Sequence, residues 1–371
     1  MTKQHLLDTF AAMISGSQLA PGKAALSFAK LSAVAGRCSI VASGIQCEPI
    51  EAAIANGVLA HSDETDDSHS PSLSHPGCAV VPAALACGEE FSVDGSRFLR
   101  AIALGYDIGP RVTMTMGAIH YQTQTHRSSH AIAGAFGAAA AAACCASLNA
   151  QQMRWLLDYT AQQASGIAAW QRDTGHVEKA FVFAGMPART GVTSALLVHA
   201  GWRGVDDIFS GPDNFFAGFA PDADPHGLID GLGARYEVQR TNIKKWSVGS
   251  PIQAPLDALE ILQRQHAFKP DAVESVMVRV ATQEGRVVDH RQMPDISLQQ
   301  MMAVMLMDGT VSFRAAHDVE RMSDPATERV RSKIKLIGDP ALDVLLPRRI
   351  AVVEVVLLDG TNLSQRVEAV R

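Results

Sequence analysis

His130-Ala-Ile-Ala-Gly-Ala-Phe-Gly-Ala-Ala-Ala-Ala-Ala-Ala-Cys-Cys-Ala-Ser147 is the stretch whose reading decides the fold. From Ala131 to Ala146 it runs 16 residues without a charge, and Ala138–Ala143 is pure alanine. Sixteen residues are short for a bilayer span, and alanine contributes little transfer energy to lipid. Alanine is, however, the best helix former. The stretch therefore predicts a buried helix of a soluble protein. Gly134, Gly137 and the alanine run leave one face with almost no side-chain bulk, so neighbouring helices can approach closely.

Working outward, the first two thirds of the chain repeat the helical spacing of apolar residues. Helices are predicted over Leu6–Ser15, Ile50–Ala60, Gly77–Glu89, Gly95–Ile108, Gln151–Ala168 and Glu178–Ala200. Near Tyr236 the pattern changes. Asp271–Ala281 alternates, with Val273, Val276, Val278 and Val280 apolar, and reads as a strand. Arg349–Leu358 is β-branched, and Asp359-Gly360 then turns the chain into Leu363–Val370, a hairpin. Helical stretches at Ile252–Gln265 and Leu298–Met307 lie between them. The expected fold is mainly α with a second α+β domain: residues 1–235 all-helical, residues 236–371 smaller and mixed, with the boundary in Gly231–Tyr236.

Composition fits this division. A length of 371 residues suggests about two domains. An apolar share of 47% excludes disorder, and a net charge of −6 without a basic block argues against nucleic acid or a membrane surface as partner. Only 6% of residues are aromatic, so the core must be built from small and aliphatic side chains. The six cysteines form no C-x-x-C pair, and Met1–Phe10 carries Asp8 and lacks an apolar signal region. The expectation is reduced thiols and a cytoplasmic protein.

One segment concentrates chemistry. His61-Ser-Asp-Glu-Thr-Asp-Asp-Ser-His-Ser-Pro-Ser-Leu-Ser-His75 holds three histidines and four acids in fifteen residues, between two apolar helices. A single such residue would read as part of a solvated loop; a cluster between buried helices suits proton transfer, because imidazole titrates near neutrality and adjacent carboxylates orient it. His and Asp also bind zinc or manganese, but the segment contains neither H-x-x-x-H nor H-E-x-x-H. Further polar islands are His126-Arg127-Ser-Ser before the alanine helix, Glu178-Lys179, and Lys244-Lys245-Trp246. The serines can cap the helix; the cations, set against the acidic cluster, suit a substrate with several carboxylates. No G-x-x-x-x-G-K-[ST], G-x-G-x-x-G or G-x-S-x-G is present, which argues against nucleotide cofactors and serine hydrolysis. Cofactor-independent acid–base chemistry remains.

These residues resemble the MmgE/PrpD family, whose members include 2-methylcitrate dehydratase, cis-aconitate decarboxylase and iminodisuccinate epimerase. Leu6-Leu7-Asp8-Thr9 is similar to an early family helix. Asn56-Gly-Val-Leu-Ala-His61, Asp66-Asp67-Ser68 and His75-Pro76 follow its "NGxxAH…D-D-[TS]…HP" signature, and Pro82-Ala-Ala-Leu-Ala86 follows in order. His126 before Gly134-Ala-Phe-Gly137 resembles its "H-x-T…G-x-x-G-A-A-A" segment, and Lys179 before Ala184-Gly185 and Lys244 before Asp257-Ala258 resemble two family lysines. Glu64 stands where the family often has Asp, Gln300 where several members have Tyr or His, and Lys179 lies one residue further from its Ala-Gly. The family's longer N-terminal start and its final return to the helical domain have no counterpart, so a trimmed member is expected.

The resemblance implies a helical domain, an α+β lid, a site in the cleft between them, a homodimer, and no metal or organic cofactor. The expected function is a 2-methylcitrate dehydratase-like lyase acting on a small di- or tricarboxylate. His75 or His126 would move a proton α to a carboxylate. Lys244, also a candidate catalytic residue, and Arg127 would hold carboxylates and stabilise enolate charge. Glu64, Asp67, Ser68, Lys179 and Lys245 are the remaining candidate substrate contacts. The alternatives are an epimerase of an imino- or amino-dicarboxylate and an inactive polycarboxylate-binding member.

Overall fold

The computed structural model describes residues 1–33 and 36–368. The chain divides into two compact units, Met1–Ile243 and Lys244–Arg371. The first is helical and the second combines helices with a mixed four-stranded sheet, as the two apolar periodicities require.

In the first unit, α1 (Thr2–Gly16) and α2 (Ala20–Leu31) lead into a short hairpin, β1 (Cys38–Ser39) with β2 (Gln46–Cys47). Then come α3 (Pro49–Ala60), α4 (Pro76–Glu90), α5 (Gly95–Thr115), α6 (Ile119–Thr125), α7 (Ser129–Cys145) and α8 (Ala150–Gln162). The alanine stretch is α7, and it sits at the centre, packed against α4, α5, α8 and a later helix, α10. The expected absence of bulk is what allows this. A Cβ on Gly109 of α5 would lie 2.2 Å from the Ala133 carbonyl oxygen of α7. A Cβ on Gly191 of α10 would lie 2.4 Å from the Ala138 backbone. Backbones this close leave no room for a methyl group, and overpacking such a contact costs about 1–3 kcal/mol. The region predicted as one helix over Gln151–Ala168 ends at Gln162, and α2 has too polar a face to be legible beforehand.

The helix predicted over Glu178–Ala200 is three pieces: α9 (Val177–Ala180), a π turn over Phe181–Gly185, and α10 (Met186–His199). By length and hydropathy Val177–His199 could cross a membrane, but 72% of its apolar window is buried inside the protein. A short helix, α11 (Phe215–Phe219), follows. It belongs to an aromatic cluster in which Phe136 packs on Phe209 and Phe215.

The second unit contains α12 (Ser250–His266), β3 (Val273–Val280), α13 (Thr282–Val288), α14 (Leu298–Asp308), α15 (Phe313–Ala316), α16 (Pro325–Arg331), β4 (Ile334–Gly338), β5 (Ile350–Leu357) and β6 (Asn362–Glu368). The strand order is β4-β3-β5-β6, with β4 parallel to β3 and the other neighbours antiparallel. A register shift between Val273 and Ser275 lets Val273 and Val276 both point inward despite an odd spacing. Val276, Val278, Val353 and Val355 form one buried face with Leu259 of α12 and Met302 of α14. Gly360 turns the β5–β6 hairpin at φ +87°. The last residue predicted for this strand, Val370, lies outside the described residues.

Candidate active site

The acidic loop is shaped by its own side chains. Helix α3 ends at His61, and the Asp63 carboxylate accepts hydrogen bonds from the Thr65 amide at 2.9 Å and the Thr65 hydroxyl at 2.6 Å. This turn reverses the chain. Ser68 and Asn242 exchange backbone hydrogen bonds at 2.9 Å, and His69 pairs with Ser74. His75 then precedes Pro76, the first residue of α4, where a missing N–H costs nothing.

Asp67 faces inward, away from His75. One oxygen accepts from the Tyr106 hydroxyl at 2.5 Å and lies 2.9 Å from His5 Nδ1; the other accepts from the Gly77 amide at 3.0 Å. It thus satisfies the positive N-terminus of α4. Burial, reinforced by the Asp67 charge, pushes the Tyr106 phenol well above its ordinary value, so it remains a donor. Burial pulls His5 down, but its hydrogen bond to Asp67 and the charges of Asp67 and Asp8 together outweigh this and leave it raised.

His69 also faces inward. Its Nδ1 accepts from the Ser72 amide, and its Nε2 donates to Glu237 at 3.0 Å. Glu237 further accepts from Arg235 at 2.8 Å and Arg240 at 2.9 Å. Burial pushes Glu237 up, but the hydrogen bonds from His69 and Arg235 prevail and hold it at about 2. Burial lowers His69, so the pair is neutral imidazole with carboxylate.

The remaining members of the loop meet residues from other helices. His61 Nδ1 lies 2.9 Å from Asp66 Oδ2, and His75 Nδ1 lies 3.6 Å from the same oxygen. His75 Nδ1 donates to the Asp67 carbonyl at 2.6 Å. A carbonyl can only accept, so in the neutral ring Nδ1 carries the proton and Nε2 the lone pair. His176, His61, His75 and His130 form a row of imidazoles with successive centroids 5.2, 5.3 and 5.2 Å apart. Phe183 stacks on His130 at 3.9 Å and on His61 at 4.8 Å. Two adjacent imidazoliums at this spacing would repel by about 3 kcal/mol at an effective dielectric constant near 20, so neighbours do not both hold extra protons. At the His176 end, Glu64 pairs with Lys179, whose ammonium lies 5.3 Å from the Phe183 ring and 5.7 Å from that of Trp170.

A π turn over Phe181–Gly185 follows Lys179, which pairs with Glu64. His176 adopts φ +60°, a left-handed backbone uncommon outside glycine. Trp170, His176 and Phe183 have no clustering in the sequence; His130 lies four residues after His126 in the polar island before the alanine helix, and His176 lies three residues before Lys179.

Of the other candidates in the first unit, His126 and Arg127 do not join the imidazole row. The His126 side chain is exposed at the end of α6, and among the described residues no hydrogen bond, ion pair or ring contact reaches it. Arg127 stacks over Phe219 at 4.3 Å. Lys244 and Lys245 belong to the second unit. Lys245 sits over Trp246 at 4.3 Å and pairs with Glu260 and Asp257. Gln300 is buried in α14, where its Oε1 accepts from Arg331.

Two trios, His61–Glu64–His176 and His61–Asp66–His75, bring possible metal-ligand atoms within 4.8 Å of one another. In the first, Lys179 already neutralises Glu64. In the second, the Nδ1 atoms of both histidines face oxygen acceptors. In this arrangement both trios suit proton chemistry.

The MmgE/PrpD N-terminal domain matches residues 1–227 and the MmgE/PrpD C-terminal domain matches residues 246–371. A cis-aconitate decarboxylase-like protein, oryM, of Aspergillus oryzae is 28% identical over 284 residues, covering 71% of this chain and 57% of that protein. The cis-aconitate decarboxylase of Aspergillus terreus is 25% identical over 248 residues, covering 62% and 49%. The human cis-aconitate decarboxylase is 24% identical over 395 aligned positions, covering 98% and 77%. The chain spans about half the length of the two fungal relatives. With both domains matched in order over most of its length, the chain belongs to the MmgE/PrpD family.

Proposed function

We propose that the protein is a cofactor-independent lyase acting on a small di- or tricarboxylate, with His75 as its general base. One observation carries the reading: Nδ1 of His75 donates to the Asp67 carbonyl, which directs the lone pair to Nε2, while Asp66 Oδ2, 3.6 Å from Nδ1, can stabilise the imidazolium. His75 removes a proton α to a substrate carboxylate, and the electron pair is delocalised into that carboxylate. In a dehydration the pair then expels hydroxide, protonated as it leaves. In a decarboxylation no proton is removed first: the bond to the departing carbon dioxide breaks, its electron pair is delocalised over the adjacent double bond and carboxylate, and His75, protonated at the outset, supplies the proton that ends on carbon. Lys179, with its charge shared by Glu64, is the proposed carboxylate holder. The names of the relatives favour decarboxylation of an unsaturated tricarboxylate such as cis-aconitate.

A second reading, epimerisation, is supported by the stacking of His130 on His75 at 5.2 Å, which puts two proton-exchanging groups side by side. Proton NMR of a polycarboxylate panel incubated with the protein in deuterated buffer separates the two. Loss of carbon dioxide or water supports the lyase; deuterium entering recovered substrate without elimination supports the epimerase. Full turnover by His75→Ala would refute the acid–base assignment altogether.

A further inference from the structure

We infer that His61 is a positioning residue for His75, acting through the Asp66 carboxylate that the two imidazoles share; this deepens, and rests on, the reading of His75 as the base. Asp66 Oδ2 is 2.9 Å from His61 Nδ1 but 3.6 Å from His75 Nδ1, whose proton goes instead to the Asp67 carbonyl at 2.6 Å. The carboxylate is therefore held one step back from the base. Its charge is near enough to stabilise an imidazolium at His75, yet no direct hydrogen bond holds the proton there. A base paired too tightly with a carboxylate takes up its proton early and returns it reluctantly. His61 keeps the pairing partial by holding Asp66 itself.

The burial of His61 supports this role. Its side chain is wholly inaccessible, stacked on Phe183, and its Nε2 has no hydrogen-bond partner among the described residues. A buried nitrogen without a partner is destabilising, so packing alone would be better served by a leucine or phenylalanine. What a hydrocarbon cannot supply is the Nδ1–H that Asp66 accepts.

The groups around His75 from each neighbouring element are consistent with Asp66 as the lever. From its own loop, the Asp67 carboxylate is turned to His5, Tyr106 and Gly77. From α4, the Cys78 thiol donates to the His75 carbonyl at 3.1 Å. From α7, His130 stacks on the ring. From the π-turn segment, Phe183 packs beside it, and beyond His61 lie His176, Glu64 and Lys179.

The test follows the His75 imidazole by proton–nitrogen NMR as a function of pH, in the full chain. His61→Leu removes the donor while keeping bulk, and His61→Asn returns an amide N–H near the Nδ1 position. The expected result is that His61→Leu moves the His75 titration midpoint up by about one pH unit, with the acidic limb of kcat/KM moving the same way, and that His61→Asn brings both back toward wild type. Asp66→Asn removes the shared charge and moves the midpoint down, which keeps the test decisive if His61→Leu does not fold. An unmoved midpoint in a folded His61→Leu or Asp66→Asn protein overturns the inference. Because the titration needs no turnover, failure of every carboxylic acid to react would instead count against the lyase reading alone.

Discussion

His69 and His75 lie six residues apart in one loop, both buried beside carboxylates, yet they belong to different kinds of polar network. Around His69 each charge is closed off: Nδ1 accepts from Ser72, Nε2 donates to Glu237, and Glu237 takes two arginines besides. Asp67, with Tyr106, His5 and the α4 amide, is closed in the same way. Around His75 the network stays open. His61 keeps an unmatched nitrogen, Asp66 is divided between two imidazoles, and a row of four rings can hold only some of the protons it could bind. Closed networks fix the loop; the open one is left able to react. Buried charge marks function only where the hydrogen-bond inventory is incomplete.

The contrast can be broken at its strongest point by His75→Asn. If the open network is catalytic, kcat/KM falls by about 10²–10⁴-fold while the melting temperature barely moves, read by NMR-followed turnover and thermal unfolding. Glu237→Gln should do the reverse. It removes the centre of the closed network and lowers stability at neutral pH by about 3 kcal/mol, measured by denaturant unfolding. The sign with pH follows from the depressed carboxylate. Its contribution is fully present above the unfolded value near 4.5 and disappears as pH falls through about 2, so wild type and variant converge over that window. Asp67→Asn is a smaller probe, costing about 1–3 kcal/mol as the charged acceptor of three donors is lost. It should leave KM unchanged, because the Asp67 carboxylate faces helix α4 and not the imidazole row; a raised KM would return it to the substrate contacts. The smallest effect is expected for His126→Ala, within about 0.5 kcal/mol of wild-type stability, since its side chain is exposed.

The fold was largely legible because two periodicities dominate it. The alanine stretch announces a central, closely packed helix, and the alternation of Val276, Val278 and Val280 announces a sheet. The parallel strand β4 was not legible: its five residues follow the charged run Glu328–Lys333, and a short edge strand carries little alternation of its own. In the site, the crowding of acids and histidines between His61 and His75 was legible, but its division was not. Which way each side chain points in an irregular loop depends on partners as distant as Tyr106 and Glu237, and no local period encodes it. His130, Trp170, His176 and Phe183 join the cluster from other helices, and the π turn over Phe181–Gly185 lies within a stretch that reads as one helix.

The most direct test of an open and a closed half within one loop is the tautomer of each histidine at neutral pH, read from imidazole nitrogen chemical shifts. The account predicts opposite forms: the proton on Nε2 in His69, where Glu237 accepts it, and on Nδ1 in His75, where the Asp67 carbonyl accepts it. A proton on Nε2 of neutral His75 would contradict the account, because the atom assigned to take up the substrate proton would already hold one.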